Sequence, residues 1–323
     1  MTIPRLLLAL SSVCAWAAPV YQVQKIPLPA GDYYGLDGWA INEAGVIAGN
    51  AKSSTLPGSV FTGTPSGVQL LLGTPSGIRF DINNSMVVAN SNFTTSLLGG
   101  LQPLPAGSTV TSVNDSGLAA GGNGGHATIW DSTGSPTTVS TPVGMTNSFI
   151  QDINNSGQLA GVGFVSGNPV PFLGTAAGVT VIPLPGLGGT GIARINQMGD
   201  VVGASTGGTW LLPQGGALIL LPTAASTPTG INNHRQVVGR LGFGGWIWDE
   251  ASGFRNLNDL LPTGWRLVSA EGINDAGQIV AQALDASNTF WTVRLDPVPE
   301  PSTALLMAAG GALIWRIRRR RVR

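Results

Sequence analysis

The stretch Ile41-Asn42-Glu43-Ala44-Gly45-Val46-Ile47-Ala48-Gly49 decides the reading of this chain, because it recurs. Ile82-Asn83-Asn84-Ser85-Met86-Val87-Val88-Ala89 repeats it, as does Val113-Asn114-Asp115-Ser116-Gly117-Leu118-Ala119-Ala120-Gly121. Four more copies place their Asn at Asn154, Asn196, Asn232 and Asn274. Successive Asn residues stand 41, 31, 40, 42, 36 and 42 apart. An apolar residue precedes each Asn and apolar residues follow the turn, so two strands meet at a tight turn. The Asn side chain can bond the backbone ahead of it. A Gly three residues on supplies the left-handed conformation that closes a type I turn with a bulge. Two copies depart. Met86 follows where the Gly is expected, which predicts a turn one residue shorter. Arg235 occupies the Gly position, at a cost of about 1 kcal/mol if the conformation is kept.

Reading outward, a third strand follows each turn and carries aromatics such as Phe61, Trp130, Phe172, Trp210, Trp246 and Trp291. A fourth apolar run, at 69–72, 180–185 and 217–222, ends near Leu-Pro in two of its three copies. Four strands in a period near 40 residues describe a propeller blade. The seventh copy runs out after its third strand, and residues 21–29 match the strand it lacks. The expected fold is therefore all-β. It is a seven-bladed β-propeller of four-stranded blades over residues 20–297, its last blade closed by the N-terminal strand so that no sheet edge stays open.

Composition agrees. Gly is abundant at 47 residues and charge scarce at 10%, but 43% apolar residues and nine Trp describe a packed chain. Residues 18–297 hold nine Lys or Arg against fifteen Asp or Glu, a net charge of −6. The formal neutrality of the whole chain comes from its basic ends. An acidic body argues against nucleic acid as a partner, since phosphate neutralisation needs clustered Lys and Arg. Cys14 is the only cysteine, so the body has no disulfide.

The ends read as addresses. Arg5, an apolar stretch from Leu6 and the small-residue site Ala15-Trp16-Ala17 describe a secretory signal peptide over 1–17, cleaved after Ala17. Bulky Val13 before Cys14 argues against a lipoprotein. At the other end, 298–323 divides into Val298-Pro299-Glu300-Pro301, an apolar segment at 303–315, and a tail with Arg316, Arg318, Arg319, Arg320, Arg321 and Arg323. The prolines cannot continue a strand or helix. The arginines stay on the cytoplasmic side. The apolar segment predicts a transmembrane helix outside the fold. From Ser302 to Trp315, at 1.5 Å per residue, it spans about 21 Å, against roughly 30 Å of hydrocarbon, so it reads as a transient span.

These three parts closely resemble the PEP-CTERM sorting signal of Gram-negative bacteria. That resemblance implies an exosortase as processing partner, passage through the inner membrane, and delivery to the cell surface or an exopolysaccharide matrix. The repeat, in turn, resembles the HAF family of bacterial extracellular repeats, which implies an exported propeller-like domain and no defined activity.

Catalytic and metal chemistry has little support in the sequence. His126 and His234 stand in different repeats and read as solvated or capping residues, not metal ligands. Asn114-Asp115 and Asn274-Asp275 offer too few oxygens for calcium and read as Asx-turn caps. Gly121-Gly122-Asn123-Gly124-Gly125 lacks the Lys and the helix of a phosphate loop. No cofactor, metal or catalytic residue is expected. The expected function is non-catalytic binding or scaffolding, with exopolysaccharide or a surface protein as partner. A propeller-fold polysaccharide hydrolase or lyase is the alternative. It would be favoured by two or more carboxylates converging in one pocket of the channel.

Overall fold

A computed structural model describes residues 21–298, apart from 56–58, 72–79, 91–92, 97–99, 185–186, 188–189 and 223–225. Ala17, the motif from Pro299 to Pro301, segment 303–315 and the terminal arginines lie outside the described residues, as do the expected signal peptide and transmembrane helix. Among the described residues no helix is long and apolar enough to cross a membrane.

The protein is an all-β propeller of four-stranded blades. After β1 (Tyr21–Lys25), one sheet holds β2 (Tyr33–Ile41), β3 (Ile47–Ser53), β4 (Ser59–Thr64) and β5 (Gly67–Leu71). The next holds β6 (Phe80–Ile82), β7 (Val87–Asn90), β8 (Phe93–Ser96) and β9 (Gly100–Pro103). Then come β10 (Ser108–Val113), β11 (Ala119–Asn123), β12 (His126–Trp130) and β13 (Pro136–Thr138). They are followed by β14 (Met145–Ile153), β15 (Leu159–Val165), β16 (Asn168–Thr175) and β17 (Gly178–Val181). The fifth sheet is β18 (Thr190–Ile195), β19 (Val201–Ser205), β20 (Gly208–Leu212) and β21 (Ile219–Leu220). The sixth is β22 (Thr227–Ile231), β23 (Val237–Arg240), β24 (Gly245–Asp249) and β25 (Gly253–Asn256). The seventh joins β26 (Arg266–Ile273), β27 (Ile279–Leu284) and β28 (Phe290–Pro297) to β1, in the order β1-β28-β27-β26.

The N-terminal strand thus supplies the outer strand of the last sheet, with Tyr21 opposite Pro297 and Lys25 opposite Val293. Tyr21 and Ile26 are buried there, which anchors the closure in apolar area as well as in ladder hydrogen bonds.

The core lies between neighbouring sheets. Trp246 packs with Val202, Leu211 and Leu221 of the preceding sheet, and Phe172 with Ala127, Ile129 and Val139. Third-strand aromatics Phe61, Phe172, Trp130, Trp210 and Trp246 are all fully buried. The Gly that ends the repeat makes room for them. A Cβ at Gly239 would lie 2.4 Å from the Trp246 ring, and one at Gly161 2.3 Å from Phe172.

The turns have one correction. Met86 does not shorten its turn. Its N–H donates to the Asn83 carbonyl at 3.2 Å, as that of Gly45 does to Asn42. Met86 takes the glycine slot itself at φ 62°, beside Arg235 at 56° and Gly45 at 73°. Ladder pairing on both sides fixes the turn length, so the side chain must accept the strained conformation.

Candidate functional site

Each repeat Asn does two jobs. Its side-chain oxygen accepts the N–H four residues on, from Asn42 and Val46 at 2.9 Å to Asn274 and Gln278 at 2.9 Å. Its amide nitrogen donates to the carbonyl of the next sheet's Asn. Asn42 reaches Asn83 at 3.1 Å, Asn83 reaches Asn114 at 2.8 Å and Asn114 reaches Asn154 at 3.2 Å. Asn154 reaches Asn196 at 3.1 Å, Asn196 reaches Asn232 at 3.0 Å and Asn232 reaches Asn274 at 3.0 Å. Asn274 then returns to Asn42 at 3.0 Å and closes the ring. The second job was not read from sequence, although the choice of Asn over Asp at every copy was its signal. Only the amide carries a donor.

The following residue builds a second, outer ring. The N–H of Asn84 donates to Asp115 at 2.8 Å, that of Asp115 to Asn155 at 2.8 Å, and that of Asn233 to Asp275 at 2.8 Å. Asp275 N–H donates to Glu43 at 2.9 Å, across the closure. This corrects the reading of Asp115 and Asp275 as local caps: their carboxylates bind the preceding sheet. Burial pushes the Asp115 carboxyl up, but hydrogen bonds from Asn84 and Asn155 outweigh it and hold it below its ordinary value. At Glu43 burial wins and the carboxyl is raised. His126 and His234 are exposed, and among the described residues no three His, Cys, Asp or Glu gather to hold a metal.

Strands β2, β6, β10, β14, β18, β22 and β26 surround a central cavity of about 150 Å³. Bulges in five of these strands aim an extra residue at it: the ladders skip Trp39, Thr111, Gln151, Thr229 and Glu271. Thr111 donates to the Ile150 carbonyl of the next sheet at 2.8 Å, and Thr229 to Ala270 at 3.0 Å. Gln151 donates to Gly191 at 2.9 Å. Glu271 is tied to Arg240 and Ser269.

The most charged wall comes from one repeat position, two residues before each Asn. In successive copies it reads Asp81, Ser112, Asp152 and Arg194. Ser112 Oγ lies 2.7 Å from Asp81 Oδ2 and 2.9 Å from Asp152 Oδ1. A hydroxyl carries one hydrogen and can donate to only one of them. For both contacts to be hydrogen bonds, the other carboxyl must be protonated and donate to Ser112. Burial raises both carboxyls, that of Asp152 to about 6, with the Arg194 charge opposing it. The neighbouring Asp81 charge adds to the rise at Asp152. Each also accepts backbone N–H groups of the next sheet: Asp81 from Val113 at 2.8 Å, Asp152 from Ile195 at 3.0 Å. The Arg194 guanidinium donates to the carbonyls of Thr229 at 3.1 Å and Ala193 at 3.2 Å.

Residues 297–321 match the model of the PEP-CTERM protein-sorting motif. The chain carries that sorting signal. It implies export and processing by an exosortase, and it begins where β28 ends, with Val298 already exposed. No curated protein matches the chain. Among solved structures, it is similar to a streptogramin B lyase at 12% identity and TM-score 0.59, over 86% of this chain and 98% of that one. The WD40 β-propeller domain of Doa1 matches at 13% identity and TM-score 0.54, over 87% and 98%. YCF48 bound to D1 peptide matches at 12% and 0.52, over 89% and 100%. At such identities the likeness is one of fold alone.

Proposed function

We propose that this is an exported propeller, delivered to the cell surface or extracellular matrix, with a non-catalytic binding or scaffolding role. The observation that carries the proposal is the sorting motif placed directly after the last strand of a closed ring. The apolar segment and arginine tail are then a transient inner-membrane hold, and residues 1–17 the export signal. A binding role is supported by the channel, where Asp81, Asp152, Thr111, Gln151 and Thr229 spend their polar atoms on neighbouring sheets. Exopolysaccharide or another surface protein is the partner. Fractionation of cells making the chain with Pro299, Glu300 and Pro301 replaced by Ala tests the sorting. The variant is expected to stay in the membrane fraction; normal surface delivery would overturn the reading.

A second reading rests on Asp81 and Asp152. Both bond the Ser112 hydroxyl, at 2.7 and 2.9 Å, so two carboxyls converge in one cavity, the arrangement a carboxyl pair in glycoside cleavage requires. Under it, the protonated member is the general acid. Hydrolysis or elimination of polysaccharide that is lost in Asp152→Asn, with the fold intact, would favour this reading over the first.

A further inference from the structure

The two faces of the propeller differ. The Asn turns join first to second strands on one face, and the hairpins from second to third strands lie on the other. Both chain ends leave from the Asn-turn face. Tyr21 pairs with Pro297, and Gln278 of the seventh turn donates to Asp296 at 2.9 Å. The segments before 21 and after 298 therefore attach there. The opposite face points away from whatever holds those ends.

That far face carries an arc of exposed rings over three neighbouring sheets. Phe243 stands in the β23–β24 hairpin at 89% exposure, Phe290 opens β28 at 42%, and Tyr34 is the second residue of β2 at 66%. Half-buried Trp265 and Trp291 lie along the same arc, with the Lys25 ammonium 5.4 Å and 4.0 Å from their ring centres. Asp285 binds Lys25 at 3.0 Å and the Trp291 indole N–H at 2.9 Å. Lys52 lies 6.0 Å from the Phe290 ring and pairs with Asp37 at 2.7 Å.

We infer that this arc is a binding surface for a neutral polysaccharide, taken lengthwise across three sheets. The inference rests on the binding reading above and gives it a place and a ligand class. Exposed rings at Phe243, Phe290 and Tyr34, with ammonium and carboxylate groups beside Phe290, Trp265 and Trp291, suit pyranose units, which present C–H faces to rings and hydroxyls to charges. A protein interface would pool its apolar groups into one core. The net charge of −6 over 18–297 repels a polyanion and leaves a neutral polymer unopposed.

Native gel electrophoresis of the exported protein tests this, in gels holding hydroxyethylcellulose, dextran, galactomannan or the polyanion alginate. At least one neutral polymer is expected to retard the protein. Replacing Tyr34, Phe243 and Phe290 by Ala should weaken that retardation at least fivefold, while Met198→Ala on the Asn-turn face should not. Phe243→Ala alone, which removes a ring in solvent, keeps the test valid if the triple variant misfolds. Retardation by alginate alone, or by no polymer, overturns the inference. Retardation that survives the triple variant overturns it too, yet leaves the general binding reading standing. Loss of all capture, of proteins as well as polymers, ends both.

Discussion

The Asn-turn face and the hairpin face of this propeller are made from the same repeat and treated in opposite ways. On the first, the same two positions in every copy hold the neighbouring sheets: the Asn amide donates to a carbonyl of the next, and the residue after it takes an N–H of the preceding one. On the second, hairpins vary in length and sequence, and Phe243, Phe290 and Tyr34 stand in water. The difference separates two demands. A ring with no covalent joint between its ends needs identical links at every step, whereas a ligand surface needs places where the repeat is free to vary.

The comparison can be broken in several ways, from the largest effect to the smallest. Deleting residues 21–29 removes an outer strand and buried Tyr21 and Ile26, exposing the edge of β28. A loss of more than about 10 °C in Tm is expected by calorimetry. An unchanged melt would mean the ring is held without that closure. Asn274→Ala cuts the inner ring where it returns to Asn42 and orphans buried partners. It should cost about 2–3 kcal/mol in denaturant unfolding. Phe243→Ala on the far face should stay within about 0.5 kcal/mol. If the two costs came out equal, the division of labour between the faces would fail.

The channel adds a pH test. The Asp81 and Asp152 carboxyls are raised in the folded state, Asp152 to about 6. The contribution of each is therefore fully present below the unfolded value near 4 and is lost as pH rises through its folded value, which for Asp152 is about 6. Arg194 and Glu271 face the same space; Arg194 is bonded to the Thr229 carbonyl and Glu271 is paired with Arg240. In Asp152→Asn the fall in stability between pH 4 and 7 should flatten, as read by urea midpoints. A parallel curve would show that the proton is not shared. Asp200 has the opposite sign. Burial pushes its carboxyl up, but the Arg235 pair and hydrogen bonds from Gln214 and Asn196 hold it below its usual value. Its contribution is present above the unfolded value and lost as pH falls through the folded one.

The smallest effect belongs to Arg235→Gly. Glycine at φ 56° relieves about 1 kcal/mol of strain. It also strips buried Asp200 of two hydrogen bonds, at 2.8 and 3.2 Å, from a guanidinium that is half exposed, so solvent screening leaves the pair worth about 1.5 kcal/mol in all. A modest net loss and an acid midpoint moved to higher pH are expected. A gain in stability would show the pair to be worth less than the strain.

The strand-turn-strand unit, the left-handed slot at its Gly and the closing strand at Tyr21 were all legible in the sequence. The first two depend on residues a few positions apart, whose hydrogen-bonding and φ preferences act locally, and the third on a strand that the seventh copy lacks and residues 21–29 supply. Met86 escaped because the sequence shows a missing Gly but not the ladder pairing that fixes turn length. Asp115 and Asp275 escaped because a carboxylate at a turn has a local partner by default, and only the next sheet offers a better one. The meeting of Asp81, Ser112, Asp152 and Arg194 was decided by tertiary structure. They are 31 to 42 residues apart, share one position of the repeat, and become neighbours only when the sheets turn about a common axis. The same closure decides which face carries the chain ends and which is left to the exposed rings. A repeat encodes its own unit; the angle between units comes from the packing of large side chains such as Trp246 and Phe172 between sheets.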